Sequence, residues 1–77
     1  DADLAILGAE PAAYSAYFTA LRAEYRHLDD DEWRSGRAAV VQGFLDQPTI
    51  FHTATGRERW EPRARANLTA ELATHLR

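Results

Sequence analysis

The sequence predicts an all-α fold: a short N-terminal helix followed by three main antiparallel-packed helices, the last kinked or broken near Pro62. Three observations carry this. Apolar residues recur at spacings of three and four, and the alternation of period two that marks a half-buried strand is nearly missing. Helix start and stop residues punctuate the chain at the places where that periodicity changes. The connections left between the periodic segments are short, which favours antiparallel neighbours.

The opening DADLAILG suits a short helix built on Leu4, Ile6 and Leu7 and stopped by Gly8. Pro11 fits the first turn of the next helix, where a missing N–H costs nothing. From about Pro11 to Leu28 the residues Tyr14, Phe18, Leu21, Tyr25 and Leu28 form one apolar stripe flanked by Tyr17, with Arg22 and Arg26 toward the other side. The third helix opens at the acids: Asp29 with Glu32 three residues on reads as a capping box, and Asp30 and Asp31 add carboxylates at the positive end of the helix dipole.

On that helix Trp33, Arg37, Val40, Val41, Phe44 and Leu45 form the expected buried side, and Pro48 ends it by disfavouring helix at the preceding residue. Gly36 and Gly43, both interior, are expected to allow close helix contact. PTIFHT is then an extended connector with Ile50 and Phe51 as apolar plugs, and Thr55 with Glu58 is a second capping-box candidate. The last helix presents Trp60, Ala64, Leu68, Leu72 and Leu76 every four residues. Pro62 removes a backbone donor and crowds the carbonyl four residues back, near Glu58, so either a kink or a fresh helix start is expected there.

At 77 residues the chain makes a single helical unit, 1–77, with no linker or internal repeat. Only roughly 60% of the unfolded surface is hidden at this size, so its independent stability is expected to be marginal. Cysteine is absent, which excludes disulfides, thiolate nucleophiles and zinc–thiolate sites. The net charge of −3 argues against a nucleic-acid footprint. No apolar run is long enough for a membrane span and no signal peptide opens the chain, so a cytoplasmic location is the default expectation. Methionine is absent even at position 1 and every basic residue is Arg. The first property reads as a cut through a larger protein, the second as a GC-rich coding background.

Few residues suggest chemistry by type and spacing. Asp1 and Asp3 stand two apart, do not face each other on a helix and could ligate a hard cation only with help from elsewhere. His27, His52 and His75 are scattered, and no HExxH pattern joins any two of them. His27 with Asp29 and Asp30 reads as a cation near a helix end followed by caps. Ser15 and Ser35 lie in helices without a nucleophile elbow, and the isolated glycines make no phosphate-cradling loop. Arg57, Arg59, Arg63 and Arg65 point around a helix rather than along one stripe, as solvated ion-pairing residues do. Trp33 and Trp60 sit in apolar stripes as core anchors, and Arg22 and Arg37 read as ion-pair partners of Glu24 or the acidic cluster before they read as phosphate ligands.

Taken together, DADLAILG at 1–8, Tyr14, LRAEY at 21–25, SGRAAV at 35–40, FLDQPTIFHT at 44–53 and ARANLTAEL at 64–72 resemble, in order and spacing, the C-terminal region of bacterial metal-dependent phosphohydrolases of the HD superfamily. The chain departs from that pattern at Gln47, where an Arg is expected, and at Pro62, where an uninterrupted helix is expected. The resemblance implies a metal site made of a His, a His-Asp doublet and a distant Asp. The distant Asp falls on Asp3, in preference to Asp1. Imidazole and carboxylate together suit a divalent transition metal or magnesium, which activates water for attack on phosphorus.

The His and the doublet are not in this chain. The resemblance therefore implies a C-terminal portion of a larger domain, inactive by itself and without tight metal binding of its own. In the larger protein it implies a bound divalent ion, a phosphorylated small molecule or nucleotide as substrate, and neither membrane nor nucleic acid as partner. The competing expectation is a non-enzymatic helical interaction module. Either would leave an apolar helix face open to self-association.

Overall fold

The computed structural model describes the backbone of residues 2–76 and the side chains of residues 4–76. Its elements are a 3-10 helix η1 (Ala2–Gly8) and four α-helices: α1 (Pro11–Glu24), α2 (Asp30–Asp46), α3 (Ala54–Arg59) and α4 (Glu61–His75). The described residues hold no strand, and none of their helices is long and apolar enough to cross a membrane. The fold is all-α.

The first segment is a 3-10 helix, and its three-residue turn explains its burial. Leu4 and Leu7 share a face and turn inward, Leu7 to 2% exposure, whereas Ile6 falls off that face and stays 37% exposed. Pro11 occupies the first turn of α1 as expected. That helix stops at Glu24, four residues before the expected end at Leu28. The Tyr25 N–H is shared between the Leu21 and Arg22 carbonyls, and the Arg26 and Leu28 N–H groups bond three residues back. Arg22 then donates to the Tyr25 and Leu28 carbonyls at 3.0 and 3.1 Å, so its side chain takes up acceptors that a longer helix would have used.

The cause is the next helix. Its N-cap, Asp29, must be extended (φ −71°, ψ 172°), so the chain has to leave the helical region before it. The Asp29 carboxylate accepts from the Glu32 N–H at 2.8 Å, and the Glu32 carboxylate accepts from the Asp29 N–H at 3.0 Å, a complete capping box. Asp29→Ala is expected to lower stability by about 1 kcal/mol, the usual worth of an N-cap carboxylate. A thermal melt should show a midpoint lower by about 4–8 °C. An unchanged melt would mean that the start of α2 rests on other contacts.

Helix α2 ends at Asp46, and Gln47, ahead of Pro48, is extended at ψ 145°. Trp33, Arg37 and Val41 are its buried residues, with Phe44 and Leu45 half-buried. Val40, expected on the buried side, is 50% exposed. It is the immediate neighbour of Val41, so the helix turns it about 100° away from that buried direction. Gly36 and Gly43 do not serve close helix contact either: a Cβ at either position would meet nothing within 4 Å. Gly8 is the glycine that does. A Cβ there would stand 2.7 Å from the Trp60 Cβ and 2.8 Å from the Trp60 carbonyl oxygen.

The connector carries the centre of the core. Ile50 is 1% exposed and Phe51 is fully buried, in one cluster with Leu7, Val41, Ala64 and Leu68. Its backbone is fastened by Glu61, whose carboxylate accepts from the Ile50 and Phe51 N–H groups at 3.0 Å. Burial pushes the Glu61 carboxyl up, but those two N–H groups and Arg65 outweigh it and leave it below the usual carboxylate range. Arg65 bonds Glu61 at 2.8 Å and reaches the Leu45, Gln47 and Pro48 carbonyls, closing the end of α2.

The break at Pro62 is a fresh start. Trp60 ends α3, α4 begins at Glu61, and Pro62 lies in its first turn. The cap of α3 is Thr53, whose hydroxyl accepts from the Gly56 N–H at 3.0 Å, and not Thr55, which lies inside the helix.

Helix α4 is the hub, packed by η1, α2 and α3. Arg37 meets Glu71 while Leu45 and Pro48 meet Arg65, so α2 runs antiparallel to α4. Tyr14 meets Glu71 and Phe18 stacks on His75, so α1 runs parallel to α4 and antiparallel to α2. The radius of gyration is 12.5 Å, above the roughly 11.5 Å of a compact domain of this length. Helix α1 lies against η1, and an opening remains between parts of α1 and α2. The gap is an apolar groove of about 320 Å³ lined by Tyr17, Leu21, Tyr25, Leu28, Trp33 and Val40.

Candidate functional site

The acids singled out by sequence lie at the start of η1. Asp1 and the side chain of Asp3 are outside the described residues; the backbone of Asp3 is the second residue of the 3-10 helix. The structure therefore defines the platform on which Asp3 is mounted. Three contacts fix its far end: the buried Leu7, the bare backbone of Gly8 against Trp60, and Asn67. The Asn67 amide nitrogen donates to the Leu7 and Ala9 carbonyls, both at 2.9 Å, across some sixty residues of sequence.

Sequence reasoning did not foresee the most unusual polar group, a buried network of Tyr14, Arg37 and Glu71. Glu71 is 3% exposed and Arg37 7%. The Arg37 Nε donates to Glu71 Oε2 at 2.6 Å and an Nη to Oε1 at 3.0 Å, a two-pronged pair. The Tyr14 hydroxyl donates to the same Oε1, and the Arg37 guanidinium lies 5.9 Å from the Tyr17 ring centre. Burial, then the hydrogen bond and charge of Glu71, push the Tyr14 hydroxyl far above the usual phenol range. Burial would lower the Arg37 value, but Glu71 holds it above the ordinary range.

At neutral pH the Tyr14 hydroxyl therefore keeps its proton and Arg37 its charge. With the partners in place neither is poised for proton transfer, and no buried side-chain polar atom among the described residues lacks a partner. The network ties α1, α2 and α4 together. The adjoining groove, lined in part by Ser15, Phe18, Thr74 and His75, holds about 160 Å³, less than the roughly 300–1,000 Å³ of usual small-molecule sites.

The other candidates have structural partners too. Arg22 pairs with Asp30 of the acidic cluster at 2.9 Å and lies over Trp33, while Arg37 pairs with Glu71 and with neither Glu24 nor that cluster. Arg57 donates to the His52 carbonyl, Arg59 covers Trp60, Arg63 faces Glu10 at 3.8 Å and Arg65 closes α2. They divide between α3 and α4 and form no single stripe. His27 lies in the turn after α1 beside Tyr25, His52 in the connector, and His75 in the last turn of α4 against Phe18, at 4.8 Å between ring centres.

Among the described residues no three His, Asp or Glu side chains converge to hold a metal ion. A carboxylate at Asp3 suits a hard divalent cation but supplies one ligand of the four to six such an ion takes. No protein-family model, curated protein or solved structure matches the chain.

Proposed function

We propose that this chain is the C-terminal wall of a metal-dependent phosphohydrolase of the HD superfamily, with Asp3 as one ligand of its divalent ion. The ordered resemblance of DADLAILG, SGRAAV, FLDQPTIFHT and ARANLTAEL supports it. The observation that carries it in the fold is the mounting of η1: the segment bearing Asp3 is clamped at Leu7, Gly8 and Ala9 onto α4. A ligand-bearing turn needs such a rigid base, because a functional constellation must be held within about 0.5 Å of its productive geometry. The remaining ligands, a His and a His-Asp doublet, come from the preceding part of the domain. When bound, the ion supplies activation of water and polarisation of a phosphoryl oxygen. The substrate class is a phosphorylated small molecule or nucleotide, and the setting is the cytoplasm, where such metabolites are made and kept.

The test is made on the complete gene product. Metal content by elemental analysis and release of phosphate from a panel of phosphomonoesters and nucleotides are measured for the wild type, Asp3→Ala and Asp1→Ala. Asp3→Ala is expected to lose both metal and activity with unchanged circular dichroism, and Asp1→Ala to keep both. Stoichiometric metal in Asp3→Ala would remove Asp3 from the site.

A second reading, a non-enzymatic interaction module, is favoured by the open apolar groove between α1 and α2, where Tyr25 is 44% and Val40 50% exposed. That groove also suits the face on which the rest of a larger domain would sit, or a second copy of the chain. Absence of metal from the wild-type gene product would decide for the module.

A further inference from the structure

The end of a 3-10 helix leaves carbonyl oxygens without intrahelical partners. At the end of η1 one of these, on Leu7, and the carbonyl of Ala9 just beyond the helix are taken by a single side chain, Asn67 of α4, at 2.9 Å each. Among side chains as short as Asn67, the primary amide is the one that can make both bonds from a single nitrogen. Its one nitrogen carries two hydrogens, whereas a hydroxyl has one and a carboxylate none. Asn67 is itself well founded, since its neighbour Leu68 and Ala64 one turn away are fully buried. Gly8 lies between the two bonded carbonyls with its backbone against Trp60, so η1 cannot slide toward α4 to compensate for a lost bond.

We infer that Asn67 is a positioning residue: by holding the Leu7 and Ala9 carbonyls it fixes the stretch of backbone that carries Asp3. This rests on Asp3 being a metal ligand. The lever is short and stiff. Asp3 precedes Leu7 by four residues of one 3-10 helix, about 8 Å at roughly 2.0 Å per residue, so displacement of one end is passed to the other. Asn67 touches no reacting atom and acts through η1 alone. Outer partners that orient a ligand in this way are worth roughly 10–100-fold in metal affinity.

The experiment uses the complete gene product with Mn²⁺ as probe. Asn67→Ala removes both donors. Asn67→Asp keeps size and shape while placing acceptors against acceptors, and it stands in if the alanine variant loses its helical circular dichroism. Two readouts are taken where each variant is fully folded: amide hydrogen exchange over residues 4–9, and the Mn²⁺ dissociation constant. Both variants are expected to exchange at least about tenfold faster in that segment, with α4 unchanged, and to bind Mn²⁺ about 10–100-fold more weakly. Unchanged exchange would overturn the clamp. Faster exchange with Mn²⁺ affinity within twofold of wild type would overturn the positioning role while leaving Asp3 as a ligand. No Mn²⁺ binding by the wild type would overturn the ligand assignment and this inference with it, and the exchange data would still report on the clamp.

Discussion

Glu71→Ala is expected to destabilise the chain by about 3–5 kcal/mol, because it leaves the charge of Arg37 buried without its counter-ion. Glu71 is 3% exposed and its carboxylate accepts three hydrogen bonds, two from Arg37 and one from Tyr14. Truncation strands the guanidinium and the phenol together. At roughly 0.05–0.15 kcal/mol per residue, a domain of this length holds about 4–12 kcal/mol in total. The variant should therefore be largely unfolded, or unfold at a much lower urea concentration, when followed by circular dichroism.

The pair differs from its parts. Replacing Arg37 and Glu71 together by Met and Leu should recover most of the loss, since a buried ion pair is worth little more than apolar residues of similar volume. A double variant as unstable as Glu71→Ala would show that the network supplies something that packing cannot.

The same network sets an alkaline limit. The Tyr14 hydroxyl is raised in the folded state above its ordinary value near 10. Its contribution is complete below that ordinary value and is lost as pH rises toward the higher folded one, because the unfolded chain then gives up the proton first. Tyr14→Phe, which loses one hydrogen bond worth about 1 kcal/mol, should be less stable at neutral pH and should show a shallower decline above about pH 10.

Arg37 illustrates what the sequence could and could not reveal. Its place in the buried series Trp33, Arg37, Val41 is plain from spacing alone, and an Arg within an apolar stripe signals a buried partner. Glu71 is as visible in hindsight, three residues from Leu68 and beside Leu72 on the core side of the last helix. Periodicity says that each turns inward but not that they meet, because 34 residues separate them.

The same limit governs the other differences. The capping box at Asp29 and the restart at Pro62 are local and were readable. Thr53 against Thr55 is a choice between two hydroxyls within one turn, settled by where the buried Ile50–Phe51 plug leaves the chain. The early end of α1 depends on the reach of the Arg22 side chain, and the close approach at Gly8 on a Trp that is 52 residues away in sequence. The proposal for Asp3 rests on family resemblance, which no local pattern in the chain replaces. What the fold adds is its mounting, through an Asn67 contact that no local pattern encodes.

Phe51→Ala should cost about 3–5 kcal/mol, the usual range for emptying a fully enclosed aromatic site. Phe51 has no exposed surface and packs against Trp60 at 5.5 Å between ring centres, within the cluster that joins η1, α2 and α4. Little can close the cavity. The connector backbone on one side is pinned by Glu61, and on the other the fully buried Ala64 and Leu68 belong to a regular helix. Phe51→Leu, which keeps most of the volume, should lose about 1–1.5 kcal/mol.

Val40→Ala is the informative comparison, since Val40 is also apolar but is 50% exposed in the α1–α2 groove. Its loss should stay within about 0.5 kcal/mol in the 77-residue chain. In the complete gene product the same substitution measures whether that groove is covered. A cost there of about 1 kcal/mol or more, at the lower end for a buried Val, would show that another part of that product covers this face. A cost as small as in the isolated chain would leave the groove open to a partner. Urea denaturation of the two proteins side by side decides it, with Phe51→Ala severe in both.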